Sequence, residues 1–270
     1  VCFAGIIPYI ALQLKAISES FDILTQGQLI HSTAYNPFQD TSLYVVGILA
    51  VFTLLFGANK MQTSERHEGM MAAIAFESVI KLAAFLLLGI FVTYKVYNGF
   101  GDIFKQAIHN PDTQKLLTMP ASTGYREWFW IVILCMLAFI LLPRQFQVSV
   151  VENTNENHIR KAMWVFPGYL FLINLFVIPV AIGGILLFQK TGINADYYLL
   201  HIPLHFDQQF LALFIFIGGI SAATSMIIVE TMALSTMFSN NLLIPFFVGN
   251  EWLKNRYSKN LSTISIWSRR

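Results

Sequence analysis

The stretch best suited to chemistry is "ISAATSMIIVE", residues 220–230, where three hydroxyl side chains interrupt a run otherwise as apolar as lipid. If the segment is helical, six hydroxyl residues share one face about 120° wide: Ser221, Thr224, Ser225, Thr231, Ser235 and Ser239. Glu230 falls on the opposite side of that helix. The segment is therefore predicted to be an apolar helix with one face lined by hydroxyl groups.

Two interpretations of this face are open. Serine and threonine in membrane helices often donate to a carbonyl of the preceding turn, or hold two helices together, and neither role needs a ligand. Alternatively, the hydroxyls of Thr224 and Ser225 and the carbonyl of Ser221 offer hard, uncharged oxygens to a small cation such as Na⁺. Neutral oxygens bind an ion loosely enough to release it, which suits a transporter.

A second polar feature is the pair Glu77 and Lys81, within "AIAFESVIKLAAF". Residues four apart lie on one helix face, so the two side chains can meet. An unpaired charge in the middle of a membrane helix costs about 2.5–3.5 kcal/mol on the insertion scale, and pairing or a water-filled cavity reduces that cost. The spacing fits a structural ion pair and a position on an ion path equally well.

A helix break is predicted in "WFWIVILCMLAFILLPRQFQVSVVEN". Pro143 lacks a backbone donor and clashes with the preceding turn, so the helix should kink or break at Leu142–Pro143. Two continuations are possible. Either the helix ends there and "RQFQVSVVEN" runs along the cytoplasmic surface, or a broken helix lines a binding cavity.

The composition is that of a membrane protein. Of 270 residues, 56% are hydrophobic and 12% charged, against about 25% charged in soluble domains. A net charge of +2 is too small for a nucleic-acid surface. Cys2 and Cys135 lie in apolar runs and are expected to be buried thiols. No phosphate-binding loop, dinucleotide glycine pattern, zinc spacing or nucleophile elbow occurs in the sequence, so we predict no catalytic site in it.

A bilayer core about 30 Å thick requires about 20 apolar residues of helix. No segment alternates as the strands of an outer-membrane barrel do, so the prediction is an all-α, polytopic transmembrane helical bundle. Six stretches qualify wholly or in part: 1–17, 42–58, 69–94, 128–151, 162–188 and 210–244.

The orientation follows from the loop charges. The second, fourth and C-terminal loops carry ten Lys and Arg and the other three carry six, which places the first group in the cytoplasm. The outer segment Asp196 to Phe210, "DYYLLHIPLHFDQQF", is predicted to be a helical cap on the outer mouth or an interfacial loop anchored by aromatics. Because both ends fall in or near apolar segments, we expect this to be a piece of a longer polytopic protein.

Several stretches together resemble the sodium:solute symporter family, with its LeuT-type inverted-repeat core. "PYIALQLKAISESF" is similar to the third core helix, "HEGMMAAIAFESVIKLAAF" to the fifth, "LLPRQFQVSVVEN" to the sixth and "GGISAATSMIIVETMALSTMFSNN" to the eighth. "ERHEGMMAAIAFESVIKL", "PRQFQ" and "SAATSM" most resemble the subfamily in which this domain is fused to a cytoplasmic sensor histidine kinase. The resemblance covers essentially the whole chain.

The resemblance implies that residues 1–270 are a partial LeuT-type domain comprising core helices three to eight. The implied function is sodium-coupled solute symport, serving as the sensing or transport module of a two-component sensor histidine kinase. The alternative is a stand-alone carrier for an amino acid or other small organic solute. The implied partners are that solute, the bilayer of a bacterial inner membrane, a kinase domain in the same chain and a response regulator. The first core helix, which supplies the remaining sodium carbonyls, would lie outside this sequence.

The implied coupling ion is Na⁺. The family's sodium site on the eighth core helix falls on the Ser221 carbonyl and the Thr224 and Ser225 hydroxyls. A register shifted by one residue would involve Ala222 and Met226 instead, with Ser225 as the remaining hydroxyl.

Four further positions take roles from the resemblance. Glu77 matches a family aspartate on the fifth helix, which implies a place on the ion path. Pro143 matches a family proline on the broken sixth helix. Phe139 and Cys135 stand where proline carriers have Tyr and Trp, so these three residues are candidate solute contacts and the solute is expected to differ from proline.

Overall fold

The computed structural model describes residues 2–26, 43–45, 47–48, 51, 68–117, 124–153, 155–189 and 191–249. Within these ranges nearly every residue is helical and no strand occurs. The predicted all-α membrane bundle is therefore confirmed. Little of the predicted second span, 42–58, belongs to the described residues, so that span stays a prediction.

The described helices are labelled in chain order. They are α1 (Cys2–Gln26), α2 (Glu68–Phe91), α3 (Phe100–His109), α4 (Pro111–Leu117), α5 (Tyr125–Leu141), α6 (Pro143–Phe146), α7 (Glu156–Phe188), α8 (Tyr198–His205), α9 (Gln209–Phe238) and α10 (Ile244–Gly249). Three π-helical turns extend α2, α6 and α9: Val92–Val96, Gln147–Val151 and Ser239–Leu243.

Three described helical segments are long and apolar enough to cross a membrane: Met71–Val96, Glu156–Phe188 and Gln209–Phe238. A fourth is added if the bent pair Tyr125–Ala138 and Pro143–Val151 forms one span. The third to sixth predicted stretches thus correspond to these segments. Helix α1 covers the first predicted stretch and continues to Gln26, but its role as a membrane span stays a prediction.

Helix α7 begins earlier than the predicted start at residue 162 because of a cap. The Asn155 side chain accepts a hydrogen bond of 2.9 Å from the backbone N–H of Asn157. This bond satisfies one of the free donors at the helix start, so the helix extends over the polar residues from Glu156 onward.

The predicted break at Leu142–Pro143 is confirmed. Leu142 adopts an extended conformation, with φ −69° and ψ 127°, as expected for a residue preceding proline. Pro143 then occupies the first turn of α6, where its missing N–H is not needed. The two halves of the bent pair differ in direction by 46°.

The main core lies at the predicted outer end of the bundle. The ends of α1, α2 and α7 meet α3, α8 and the start of α9 there, around twelve buried residues: Ile23, Leu88, Val92, Tyr97, Ile103, Ala107, Val180, Ile182, Phe188, Leu200, Ile202 and Ile215. The Tyr97 hydroxyl donates to the carbonyl of Gly183, at 3.2 Å. Burial, with a smaller contribution from Asp102, raises the pKa of Tyr97 to about 12.

The predicted cap is confirmed as a helix. A 3₁₀ turn, Ala195–Tyr197, leads into α8, which packs on α1, α7 and α9. Tyr198 lies directly against Gly184 of α7, where a Cβ atom would overlap the tyrosine ring. Glycine at this position therefore permits the close approach of the cap to the bundle.

Helix α5 differs from the buried helices because most of its side chains face outward. Trp128, Leu134 and Cys135 on this helix are all exposed. The expectation of a buried thiol is therefore wrong for Cys135. An apolar residue on a membrane helix can lie against lipid tails, which are as apolar as a protein core, so it need not be buried within protein.

Candidate ion site in the membrane bundle

The site is built where α2 packs against α9, the most extensive contact between described helices. Gly218 makes this approach possible, because an added Cβ would lie 2.7 Å from the Cβ of Ala84. The packing brings the Glu77 carboxylate of α2 within interaction range of the Ser225 hydroxyl of α9. Two residues predicted separately from the sequence thus belong to one site.

Both predicted hydroxyls also bond to their own helix. Thr224 Oγ1 donates to the carbonyls of Ile220 and Ser221, at 2.9 and 3.1 Å, and Ser225 Oγ donates to the Ala222 carbonyl at 3.2 Å. These are the bonds that the structural interpretation predicted. The two hydroxyl oxygens can still act as ligands, because a hydroxyl that donates its hydrogen keeps two acceptor lone pairs.

Glu77 and Lys81 interact electrostatically across one turn of α2. Their charged nitrogen and oxygen atoms are more than 4.0 Å apart, so they do not form a direct ion pair. Among the described residues, Lys15 and Glu19 meet that distance criterion. The Oε2 atom of Glu77 is buried and has no hydrogen-bond partner among the described residues. One carboxylate oxygen at this site therefore remains available to a ligand.

Two charged residues near this site, Arg144 and Glu230, are not among the site residues predicted from the sequence. Arg144 is one of the ten basic residues that the loop charges assign to the cytoplasm, but in α6 it is half-buried and acts electrostatically on Lys81. Glu230, on the opposite side of α9 from the hydroxyl face, is 8% exposed and also lies within the electrostatic range of Arg144. The sequence feature that could have identified Glu230 is the presence of a carboxylate within an apolar run.

A cavity of about 370 Å³ lies beside this site, between α1, α2, α8 and α9. That volume is near the lower end of the range for ligand pockets, about 300–1,000 Å³. Its polar lining comprises Tyr9, Gln13, Ser20, Lys81, Asp196 and Tyr197. On α9 it reaches Ala222 and Met226, the residues of the shifted register, whereas Thr224 and Ser225 do not line it.

The three predicted solute contacts are not brought together at this cavity. Cys135 is exposed on α5, and Pro143 begins α6 half-buried. Neither belongs to the described lining of the cavity. Phe139 lies in α5, and its side chain is outside the described part of the structure. Their role in solute binding stays a prediction.

The chain is similar to a curated protein of Bacillus subtilis (strain 168), the uncharacterized symporter YhjB. The two are 29% identical over 246 residues, which cover 88% of this chain and 45% of that protein. The chain therefore spans about half the length of the relative. No family model matches the chain, and no solved structure matches it.

Proposed function

We propose that this chain is part of the membrane domain of a sodium-coupled symporter for a small organic solute. The observation that carries the proposal is the proximity of Ser225 to Glu77 within the packed bundle, where α2 meets α9, with the Thr224 hydroxyl next to Ser225 in the sequence of α9. Neutral hydroxyl oxygens and one open carboxylate oxygen are ligands that suit Na⁺. The similarity to a protein named as a symporter supports the symporter part of the proposal.

The proposed coupling uses alternating access. Na⁺ bound at the hydroxyl face of α9 bridges to a further core helix and favours the outward-open form. Solute binding near the helix break at Pro143 then allows one helix group to rock against the other. The cavity of about 370 Å³, which Pro143 does not line, is a second candidate position for the solute, with Lys81 as its basic group.

The parent protein is proposed to be a sensor histidine kinase, in which occupancy of this domain regulates the kinase. The motifs "PRQFQ" and "SAATSM" support that proposal. A stand-alone secondary carrier is the second candidate, because the similar protein from Bacillus subtilis is named as a symporter. The full gene distinguishes them: a phosphoacceptor histidine helix and an ATP-binding domain after residue 270 support the first, and a stop codon after further membrane spans supports the second.

The sodium site is tested by replacing Thr224 and Ser225 with alanine in the full-length protein. Uptake of radiolabelled amino acids and small organic acids is measured over a range of Na⁺ concentrations, with choline as the replacement cation. Loss of two oxygen ligands is expected to raise the Na⁺ concentration for half-maximal uptake by about tenfold or more, equivalent to about 1.4 kcal/mol of cation binding.

Thr236→Ala is the matched control. Thr236 lies on the same helix and donates to the Met232 carbonyl at 2.8 Å, much as Thr224 donates to the Ile220 carbonyl. The control therefore removes an equivalent back-bonded hydroxyl away from Glu77, and its Na⁺ dependence should match the wild type. Unchanged Na⁺ dependence in the double variant would refute the assignment of these hydroxyls to the ion.

A further inference from the structure

The helix break turns Arg144 into the bundle. After the extended residue Leu142, α6 departs from the direction of α5, and the two halves of the pair are bent by 46°. Helix α6 and the π turn Gln147–Val151 then pack against α9. We call α6 and this π turn the inner half-helix. Arg144, its second residue, is half-buried, and its Nη1 atom is fully enclosed.

Glu230 is the corresponding acidic residue on α9. Its side chain is 8% exposed, and its Oε2 atom has no hydrogen-bond partner among the described residues. The Nη1 atom of Arg144 likewise has none. Each is a buried, charged atom, and such atoms are stabilised mainly by an opposite charge nearby.

The surrounding charges favour this pairing. Arg144 attracts Glu230 on α9, and it is repelled by Lys81 on α2, which carries the same sign of charge. Lys81 in turn is attracted by Glu77. Attraction to Glu230 and repulsion from Lys81 therefore both favour movement of the guanidinium toward α9.

The two groups are more than 4.0 Å apart in this structure and do not yet touch. We propose that a change of side-chain rotamer closes Arg144 and Glu230 into an interhelical ion pair that strengthens the hold of the inner half-helix on α9. Arginine suits this role because its charge is permanent and its planar fork can bind a carboxylate through two nitrogens. Glu230 is a positioning residue, acting through Arg144. Release of the pair frees the inner half-helix to turn about the one-residue break at Leu142, where no regular helix resists the movement.

The test measures how readily the inner half-helix becomes accessible. Val148, a half-buried residue of the π turn, is replaced by cysteine in full-length protein lacking other cysteines, and its reaction with N-ethylmaleimide is timed in membrane vesicles. Glu230→Gln, which keeps the shape and removes the charge, is expected to raise the labelling rate about fivefold, because it shifts the population toward the released form. Arg144→Gln should do the same.

Charge reversal distinguishes loss of the ion pair from general disruption of the fold. The double variant Arg144→Glu with Glu230→Arg restores opposite charges, so its labelling rate should return to within about twofold of the wild type. Glu156→Gln, at the exposed start of α7, is the control and should leave the rate unchanged.

Two results would overturn the proposal: wild-type labelling in both single variants, or a reversal that leaves labelling as fast as the single variants do. If the single variants do not accumulate in the membrane, accumulation becomes the measured quantity. The reversal must then restore it, and failure to do so counts against the pair. The assay needs neither Na⁺ nor solute, so its outcome is independent of the proposed transport function.

Discussion

At the scale of single residues, Glu77 connects the features that the sequence presented separately. Its carboxylate lies within interaction range of both the Ser225 hydroxyl and the charge of Lys81. Lys81 also experiences the like charge of Arg144. Among the described residues, Glu77 is therefore the charge that stabilises Lys81 against repulsion from Arg144. A conservative change at Glu77 should reveal this dependence.

Glu77→Gln is expected to lower the free energy of unfolding by about 1–2 kcal/mol, because Lys81 loses its attractive neighbour within the bundle. The measurement is unfolding of the purified full-length protein in mixed micelles. Adding Lys81→Gln removes the unpaired charge and should recover at least half of the loss. Lys15→Gln is the control: Lys15 pairs with Glu19 on the surface, is 67% exposed, and should change stability by less than about 0.5 kcal/mol.

A stability equal to the wild type in Glu77→Gln would mean that Lys81 does not depend on this carboxylate. Transport has a separate outcome. If the same variant inserts normally and transports with unchanged Na⁺ dependence, a role for Glu77 on the ion path is untenable.

At the scale of elements, small residues decide how closely the long helices approach one another. Gly89 of α2 lies against Phe176 of α7, and an added Cβ would overlap the phenylalanine ring. Gly218 of α9 approaches Ala84 of α2 in the same way. Such contacts stabilise membrane bundles, because helices in lipid associate through close packing rather than through a hydrophobic driving force.

Gly89→Ala is expected to destabilise the protein by about 1–3 kcal/mol, since Phe176 must move or α2 must separate from α7. Gly219→Ala makes the same chemical change in a membrane helix where no atom lies within 4 Å of the new methyl group. It should be neutral or stabilising by up to about 1 kcal/mol, the helix-propensity gain of alanine. Thermal unfolding of both variants checks this, and equal effects would contradict the packing explanation.

At the scale of the whole molecule, the loops on one side of the bundle are tied together. The Asn110 side chain donates to Gln189 Oε1 at 2.8 Å, and Gln189 Nε2 donates to Asp112 Oδ2 at 2.5 Å. The α3–α4 segment and the end of α7 therefore lie on the same side. The loop charges predict this to be the outer side, and the start of α7 lies at the opposite end of a 33-residue helix.

Cysteine labelling in intact cells tests the orientation. Thr191→Cys, just beyond α7, should react with a membrane-impermeant maleimide added outside. His158→Cys, exposed at the start of α7, should react only after the membrane is made permeable. The reverse pattern would show that the charge bias assigned the wrong side, while the same labelling of both positions in intact cells would contradict α7 as a membrane span.

The sequence by itself determined the features that depend on local chemistry. Apolar length predicted the long helices, because backbone polar groups in lipid must be satisfied within the segment. Proline geometry predicted the break at Leu142–Pro143. Helical periodicity predicted the hydroxyl face of α9 and the turn that relates Glu77 to Lys81. Each of these follows from residues within a few turns of one another.

Only the tertiary structure decided which side chains meet. Contacts between helices remote in sequence bring Glu77 close to Ser225 and place Arg144 within electrostatic range of Glu230. The angle at the break turned Arg144 inward, so an apparent loop charge became part of the bundle. Helical periodicity gives the faces of one helix, but it contains no information about the neighbour that each face contacts. That choice depends on crossing angles and on where small residues such as Gly218 permit close approach.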